Sequence, residues 1–191
     1  GKVLAALDAA GVAERTLVIF TSDNGGLLGS TSNAPLRSGK GFPYEGGIRV
    51  PLIVRWPGRI PAGKVSAEPV SSIDFLPTVL AAVCAPLPAG REIDGISILP
   101  HLESGAATPL PDRPLFWHFP HYRAGDAGPY SIVRSGGWKL IRRHEGPAFE
   151  LFDLAGDPYE KEDVAAKFPD RVRRLDAMLS GHLSAVGAKL P

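Results

Sequence analysis

Three side chains near the start of the chain have the types and spacing for chemistry on an anion: Asp23, Asn24 and Lys40. Asp23 and Asn24 follow the apolar run Leu17-Val18-Ile19-Phe20 and precede Gly25-Gly26. A carboxylate and an amide oxygen side by side are hard donors, suited to Ca²⁺ or Mg²⁺ rather than zinc. The same residues also read as a strand entering a tight turn, because Asn-Gly is a turn dipeptide and Asp is common where strands end. Lys40 stands between two glycines in "LRSGKGFPYEGGIRVP", residues 36–51. Flanking glycines let the backbone approach a ligand closely while the ammonium supplies a point charge. A dication with such a lysine suits a tetrahedral anion such as a phosphate or sulfate ester. Taken singly, Lys40 reads as a solvated loop cation.

A second pair lies in "FWHFPHY", residues 116–122, where His118 and His121 are flanked by aromatics. They read either as hydrogen-bonded histidines at a strand end or as contacts to the organic part of a substrate. His101, His144 and His182 read as surface residues. Ca²⁺ takes about six to eight oxygens, so one carboxylate and one amide make up only part of a site.

The elements that must position these groups follow from patterning. Val3, Leu4 and Leu7 share a helical face ended by Gly11. "TLVIFTS", residues 16–22, is continuously apolar at its centre, which predicts a parallel strand buried on both faces. Helix, short loop and buried strand are the grammar of an α/β sheet, whose ligands gather beyond the carboxyl ends of strands. Residues 25–49 read as a long irregular loop, and "VPLIVRWPG" (50–58) as a second strand closed by a Pro-Gly turn. "SSIDFLPTVLAAVCA" (71–85) predicts a helix with Asp74 as N-cap and Pro77 in its first turn. "SGAATPLPDRP" (104–114) is a Pro-rich connector. Beyond it, "LFWHF", "SIVRSGGWKLIRR" and "FELFDL" predict short strands with a hairpin turn at Gly136-Gly137. In "DPYEKEDVA", Asp157, Pro158 and Glu160 carry a helix-start signal. Val172, Leu175, Leu179 and Leu183 form the apolar stripe of a final helix.

The expected organisation is therefore an α/β unit over 1–103, a linker over 104–114, and a small antiparallel sheet with a packed helix over 115–191. The chain has 191 residues and a formal net charge of +1, which gives no reason to expect nucleic acid or an anionic membrane as partner. No apolar stretch approaches the roughly 18 residues needed to span a bilayer. Its single cysteine, Cys84, allows no internal disulfide. The opening "GKVLAALDAAG" has neither Met nor signal peptide, so the chain reads as a piece of a longer protein.

"TLVIFTSDNGG", "LRSGKGFPYEGGIRVPLIVRWPG" and "SSIDFLPTVLAAV", in this order, resemble the sulfatase family of the alkaline-phosphatase-like superfamily. "DGISILPHL", "GGWKLI" and "FELFDLAGDPYEKEDVA" resemble the C-terminal part of the same family. The resemblance implies the C-terminal part of an alkaline-phosphatase-like sandwich, a mixed sheet with flanking helices. It implies that Asp23 and Asn24 are ligands of a Ca²⁺ site and that Lys40 contacts the sulfate and stabilises its charge. It gives Gly46, Gly47 and a Glu45–Arg49 pair an architectural role, and leaves Arg37 open. His118 and His121 would meet the sugar or aryl part of a sulfate ester. Family members use a formylglycine nucleophile made from a Cys/Ser-x-Pro-x-Arg motif. Here "CAPLP" (84–88) ends in Pro88 instead of Arg, and Cys84 reads as a buried, inert helix-end thiol. Formylglycine and the remaining ligands are thus expected in an N-terminal part outside this chain, which alone would be inactive. The resemblance favours a periplasmic or secreted protein. Two alternatives stand beside it: a phosphomonoester or phosphodiester hydrolase of the same superfamily, and a non-catalytic truncated homologue. Asn24 favours sulfate, since related phosphatases tend to show Asp-His-Gly there.

Overall fold

Leu52 to Arg55 and Val18 to Thr21 are the apolar stretches on either side of the long loop, and they pair with each other. The structure, a computed structural model, describes residues 1–122, 128–146 and 148–191. Its contacts divide the chain into two units, one of residues 1–21 and 51–111, the other of residues 22–50 and 112–191. One division falls between residues 111 and 112. The loop after the first strand, however, groups with the C-terminal residues, because its contacts are made there.

In the first unit, helix α1 (Lys2–Ala9) leads through a 3₁₀ turn at Ala13–Arg15 to strand β1 (Val18–Thr21). Its apolar centre predicts a doubly buried parallel strand, but among the described residues β1 has a single strand partner. It runs antiparallel to β2 (Leu52–Arg55), with Val18 opposite Arg55 and Phe20 opposite Ile53. Phe20 and Ile53 each keep 60% of their surface exposed. A long connection lets the chain double back, so apolar content alone does not fix strand direction. Ser72–Asp74 form a 3₁₀ turn into α3 (Phe75–Ala82). Asp74 sits at the N-cap position of α3 as expected, but its side chain caps the preceding turn instead: Ser71 and Asp74 form a reciprocal capping box, and the Ser71 N–H donates to Asp74 Oδ2 at 2.9 Å. Asp74 is fully buried because its other oxygen accepts the Ile96 N–H at 2.9 Å. Cys84 follows α3 exposed, in left-handed backbone at φ 54°, so the expected burial of its thiol does not occur. The unit closes with α4 (Leu99–Glu103).

The second unit contains α2 (Glu45–Ile48) and a four-stranded antiparallel sheet of β3 (Leu115–Phe119), β4 (Tyr130–Ser135), β5 (Trp138–Arg143) and β6 (Phe149–Asp153), paired in that order. Gly136 takes φ 56° in the β4–β5 turn, as the Gly-Gly hairpin signal requires. One sheet face carries Val133, Leu140 and Leu151 and packs on Leu175, Leu179 and Leu183 of α5 (Pro169–Ala185). The opposite face carries Ile132, Ile141 and Phe152 and packs on Tyr44, with Phe42 and Ile48 beside it. The sheet is therefore covered twice, by its helix and by the loop that precedes β2.

No helix starts at Asp157. Its carboxylate instead accepts the N–H groups of Lys161 (2.6 Å) and Glu162 (2.9 Å), closing a turn, and α5 begins only at Pro169. Glu160 takes φ 56°, a conformation that no helix propagates, and its side chain is drawn inward. Three histidines expected at the surface are also engaged. His101 is 4% exposed and bonded to the Thr108 carbonyl (2.6 Å) and Ser66 hydroxyl (2.8 Å). His144 is half-buried and meets Ser131 Oγ at 2.9 Å. His182 stacks on Phe116, ring centroids 3.9 Å apart. No helix among the described residues is long and apolar enough to cross a membrane.

Candidate functional site

Glycine makes the loop of residues 22–50 possible, because three of its segments touch backbone to backbone. The Gly25 N–H donates to the Gly47 carbonyl at 2.9 Å, and the Lys40 N–H to the Gly26 carbonyl at 3.0 Å. The Gly46 N–H donates to the Arg37 carbonyl at 2.8 Å. A Cβ on Gly25 would lie 1.8 Å from the Gly46 oxygen, and one on Gly39 would lie 2.4 Å from the Gly26 oxygen. Any side chain there forces the segments apart. Asn33 joins the same segments: its Oδ1 accepts the Gly26 N–H (2.8 Å), while its Nδ2 donates to the carbonyls of Gly26 (2.8 Å) and Ser38 (3.1 Å).

This lacing gathers the predicted residues. Asp23 and Asn24 precede the first contact, and Lys40 is tied by its own backbone two residues after Asn24. Asp23 is exposed, and its Oδ1 accepts the Asn24 N–H at 3.0 Å. The Ser22 hydroxyl donates to the Asn24 carbonyl at 2.9 Å, which completes the turn. Lys40 is exposed. The donor chemistry of Asp23 and Asn24 fits a hard dication such as Ca²⁺. Their number does not complete one, and no group of three or more His, Cys, Asp or Glu side chains with metal-binding geometry occurs among the described residues. Cys84, exposed and followed by Pro88 where Arg is needed, does not fit a formylglycine precursor.

The two histidines of β3 and its end separate. His118 bonds Ser131 Oγ through Nδ1 and the Lys189 carbonyl through Nε2, both at 2.8 Å, so both ring nitrogens are engaged within the protein. His121 is exposed, its ring edge-on to Phe119 at 5.2 Å. Burial and the neighbouring His118 hold the His144 imidazole below its usual value.

Sequence patterning missed the groups beneath the loop. Lys139 is wholly buried; its Nζ lies 3.0 Å from Glu45 Oε1 and 2.8 Å from Glu160 Oε1. The expected Glu45–Arg49 pair exists at 3.8 Å, but Arg49 is 59% exposed, so Lys139 is the main partner of Glu45. Arg37 lies with its guanidinium 3.7 Å from the Tyr44 ring centroid and donates to the Glu160 carbonyl at 2.9 Å. Tyr44 in turn donates to Glu150 Oε2 at 2.8 Å. Burial raises the Tyr44 phenol, with the Glu150 carboxylate adding to the shift. Burial likewise pushes the Glu160 carboxyl above its usual value, against the pull of Lys139. The available signal for Lys139 was strand parity: it alternates with Leu140 and belongs to the face of Ile141.

Comparison with known proteins bears on what this arrangement is. Residues 1–84 match the family model of the sulfatases. A sulfatase of Formosa agariphila is 40% identical over 187 residues, which is 90% of this chain and 34% of that protein. Among solved structures, Ps i-CgsB in complex with k-i-k-neocarrahexaose aligns with a TM-score of 0.83 and 32% identity, over 95% of this chain and 39% of that one. BT4656 in complex with its substrate D-glucosamine-2-N,6-O-disulfate aligns with a TM-score of 0.77 and 26% identity, over 96% of this chain and 37% of that one. The chain thus spans between a third and two-fifths of the length of these proteins. The α/β class of the alkaline-phosphatase-like kind, with a small antiparallel sheet and packed helix, is shared with its structural neighbours. By sequence match and by fold, this chain belongs to the sulfatase family.

Proposed function

We propose that the chain is a portion of a sulfate-ester hydrolase and holds part of its Ca²⁺ and sulfate site. One observation carries this reading: the residues with a carboxylate, an amide oxygen and a lysine belong to one loop laced by backbone hydrogen bonds between close-packed glycines. Asp23 and Asn24 would hold Ca²⁺, which when bound draws charge from sulfate oxygens. The exposed Lys40 ammonium faces outward from the same frame and offsets negative charge on the sulfate as the ester S–O bond breaks. A preformed loop costs no reorganisation at that moment, which is the condition for electrostatic stabilisation to count. With two of the six to eight oxygens that Ca²⁺ takes, the isolated chain is inactive in this reading.

The substrate class follows the same reading. His121, exposed beyond β3, is suited to the sugar or aryl part of a sulfated carbohydrate or aryl sulfate, whereas His118 ties the chain end to the sheet. A periplasmic or secreted setting belongs with such substrates. The test is turnover of matched aryl sulfate and aryl phosphate esters by the intact protein. Preference for sulfate is expected; preference for phosphate overturns the sulfate assignment, and turnover of neither overturns the enzyme reading.

A further inference from the structure

Glu45, Lys139 and Glu160 come from α2, β5 and the turn after β6, and they meet away from solvent, with exposures of 3%, 0% and 0%. Besides the two contacts to Lys139, Glu160 Oε2 accepts the Glu45 N–H at 2.6 Å. Glu160 Oε1 meets the ammonium as a charge contact rather than as an aligned hydrogen bond. Stability alone is a poor reason for such a cluster. Apolar residues of similar volume are often as stable as a buried ion group, and Glu160 occupies left-handed backbone at φ 56°.

What the cluster holds is the loop. Glu45 opens α2, whose next two residues, Gly46 and Gly47, form the surface on which Gly25 seats. Arg37 donates through its side chain to Glu160 and accepts through its carbonyl from Gly46, which ties the 37–40 segment at the same point. The path from Lys139 to Asn24 therefore runs through α2 and the Gly25–Gly47 backbone hydrogen bond, and the path to Lys40 through α2 and the Gly46–Arg37 bond.

We propose that Glu45, Lys139 and Glu160 are positioning residues, a buried charge bridge that fixes the loop bearing Asp23, Asn24 and Lys40 against the four-stranded sheet. The proposal rests on the sulfate reading of that loop. Its test is amide hydrogen exchange together with steady-state kinetics on an aryl sulfate, in the intact protein, for Lys139→Met and Glu160→Gln. Exchange of the Gly25, Lys40 and Gly46 amides should rise by about tenfold or more while the amides of β4 and β5 keep wild-type rates. The kcat should fall by roughly 10- to 100-fold with KM within about threefold of wild type, as for groups that orient a site without touching substrate. Glu160→Gln keeps the side-chain shape and is the variant to read if Lys139→Met does not fold. Uniformly faster exchange through the sheet, or unchanged loop exchange with unchanged kcat, overturns the bridge. Should the wild-type protein hydrolyse no sulfate ester, the sulfate reading falls, and loop exchange alone then decides the bridge by the same criterion.

Discussion

Ile132, Val133, Leu140, Ile141, Leu151 and Phe152 are fully buried in the four-stranded sheet, whereas Phe20 and Ile53 in the two-stranded one stay 60% exposed. The first sheet has a cover on each face, α5 on one and the glycine-laced loop on the other. The second is a ribbon of two four-residue strands, a size that has little stability by itself. The candidate site follows the weaker sheet in sequence but takes its contacts from the stronger one. A loop of this length needs an external frame, and here the frame is supplied by residues more than ninety positions away.

If that contrast is right, its largest mark is at Lys139. Lys139→Ala leaves Glu45 and Glu160 buried without their cation and should cost about 3–5 kcal/mol, read as a lowered denaturation midpoint. Leu140→Ala on the adjacent, α5-facing position should cost about 2–5 kcal/mol, while Phe20→Ala or Ile53→Ala in the same 191-residue chain should stay within about 1 kcal/mol. Equal losses in the two sheets would break the comparison. Asp157→Ala removes the acceptor of two turn N–H groups, with an expected loss of about 1 kcal/mol and no change in the α5 helix signal.

The smallest effects concern pH, and two groups act in opposite directions. The folded-state value of Glu160 is raised, so the native protein holds its proton more tightly than the unfolded chain. Stability from this group is present below the ordinary value of 4.5 and is lost as pH rises from there through the raised folded value. The folded-state value of His144 is lowered, so its contribution is present above 6.5 and is lost as pH falls through the depressed value. Glu160→Gln should flatten the first slope and His144→Gln the second, in urea midpoints measured across the acid range. Unchanged slopes would contradict the burial assigned to each group.

Much of the framework was legible in the sequence. The stripe Val172, Leu175, Leu179, Leu183 specifies α5 because helical periodicity survives any tertiary context that buries one face. The Gly136-Gly137 hairpin and the Asp-Asn-Gly turn are local chemistry, readable over four residues. Several failures share a cause: the residue is governed by a partner outside its own element. Asp157-Pro158-x-Glu160 has every helix-start residue, yet Glu160 leaves the helix path to meet Lys139 and Glu45. Lys139 in a strand reads as an outward cation until a second layer covers that face. His101 is buried because Ser66 and Thr108 arrive from either side. At the site, residue type points to Asp23, Asn24 and Lys40, but nothing in the type of Asn33 marks it as the amide that fastens the three segments.

The central claim, that Lys40 on this loop stabilises charge on a sulfate ester, is tested most directly by Lys40→Met in the intact protein. Lys40 is exposed, and it is tied to Gly26 by its backbone N–H, which the substitution leaves in place, so the variant keeps the fold. The kcat/KM for an aryl sulfate should fall by about 10²–10³-fold, with the denaturation midpoint unchanged. Wild-type turnover by Lys40→Met at unchanged stability would contradict it.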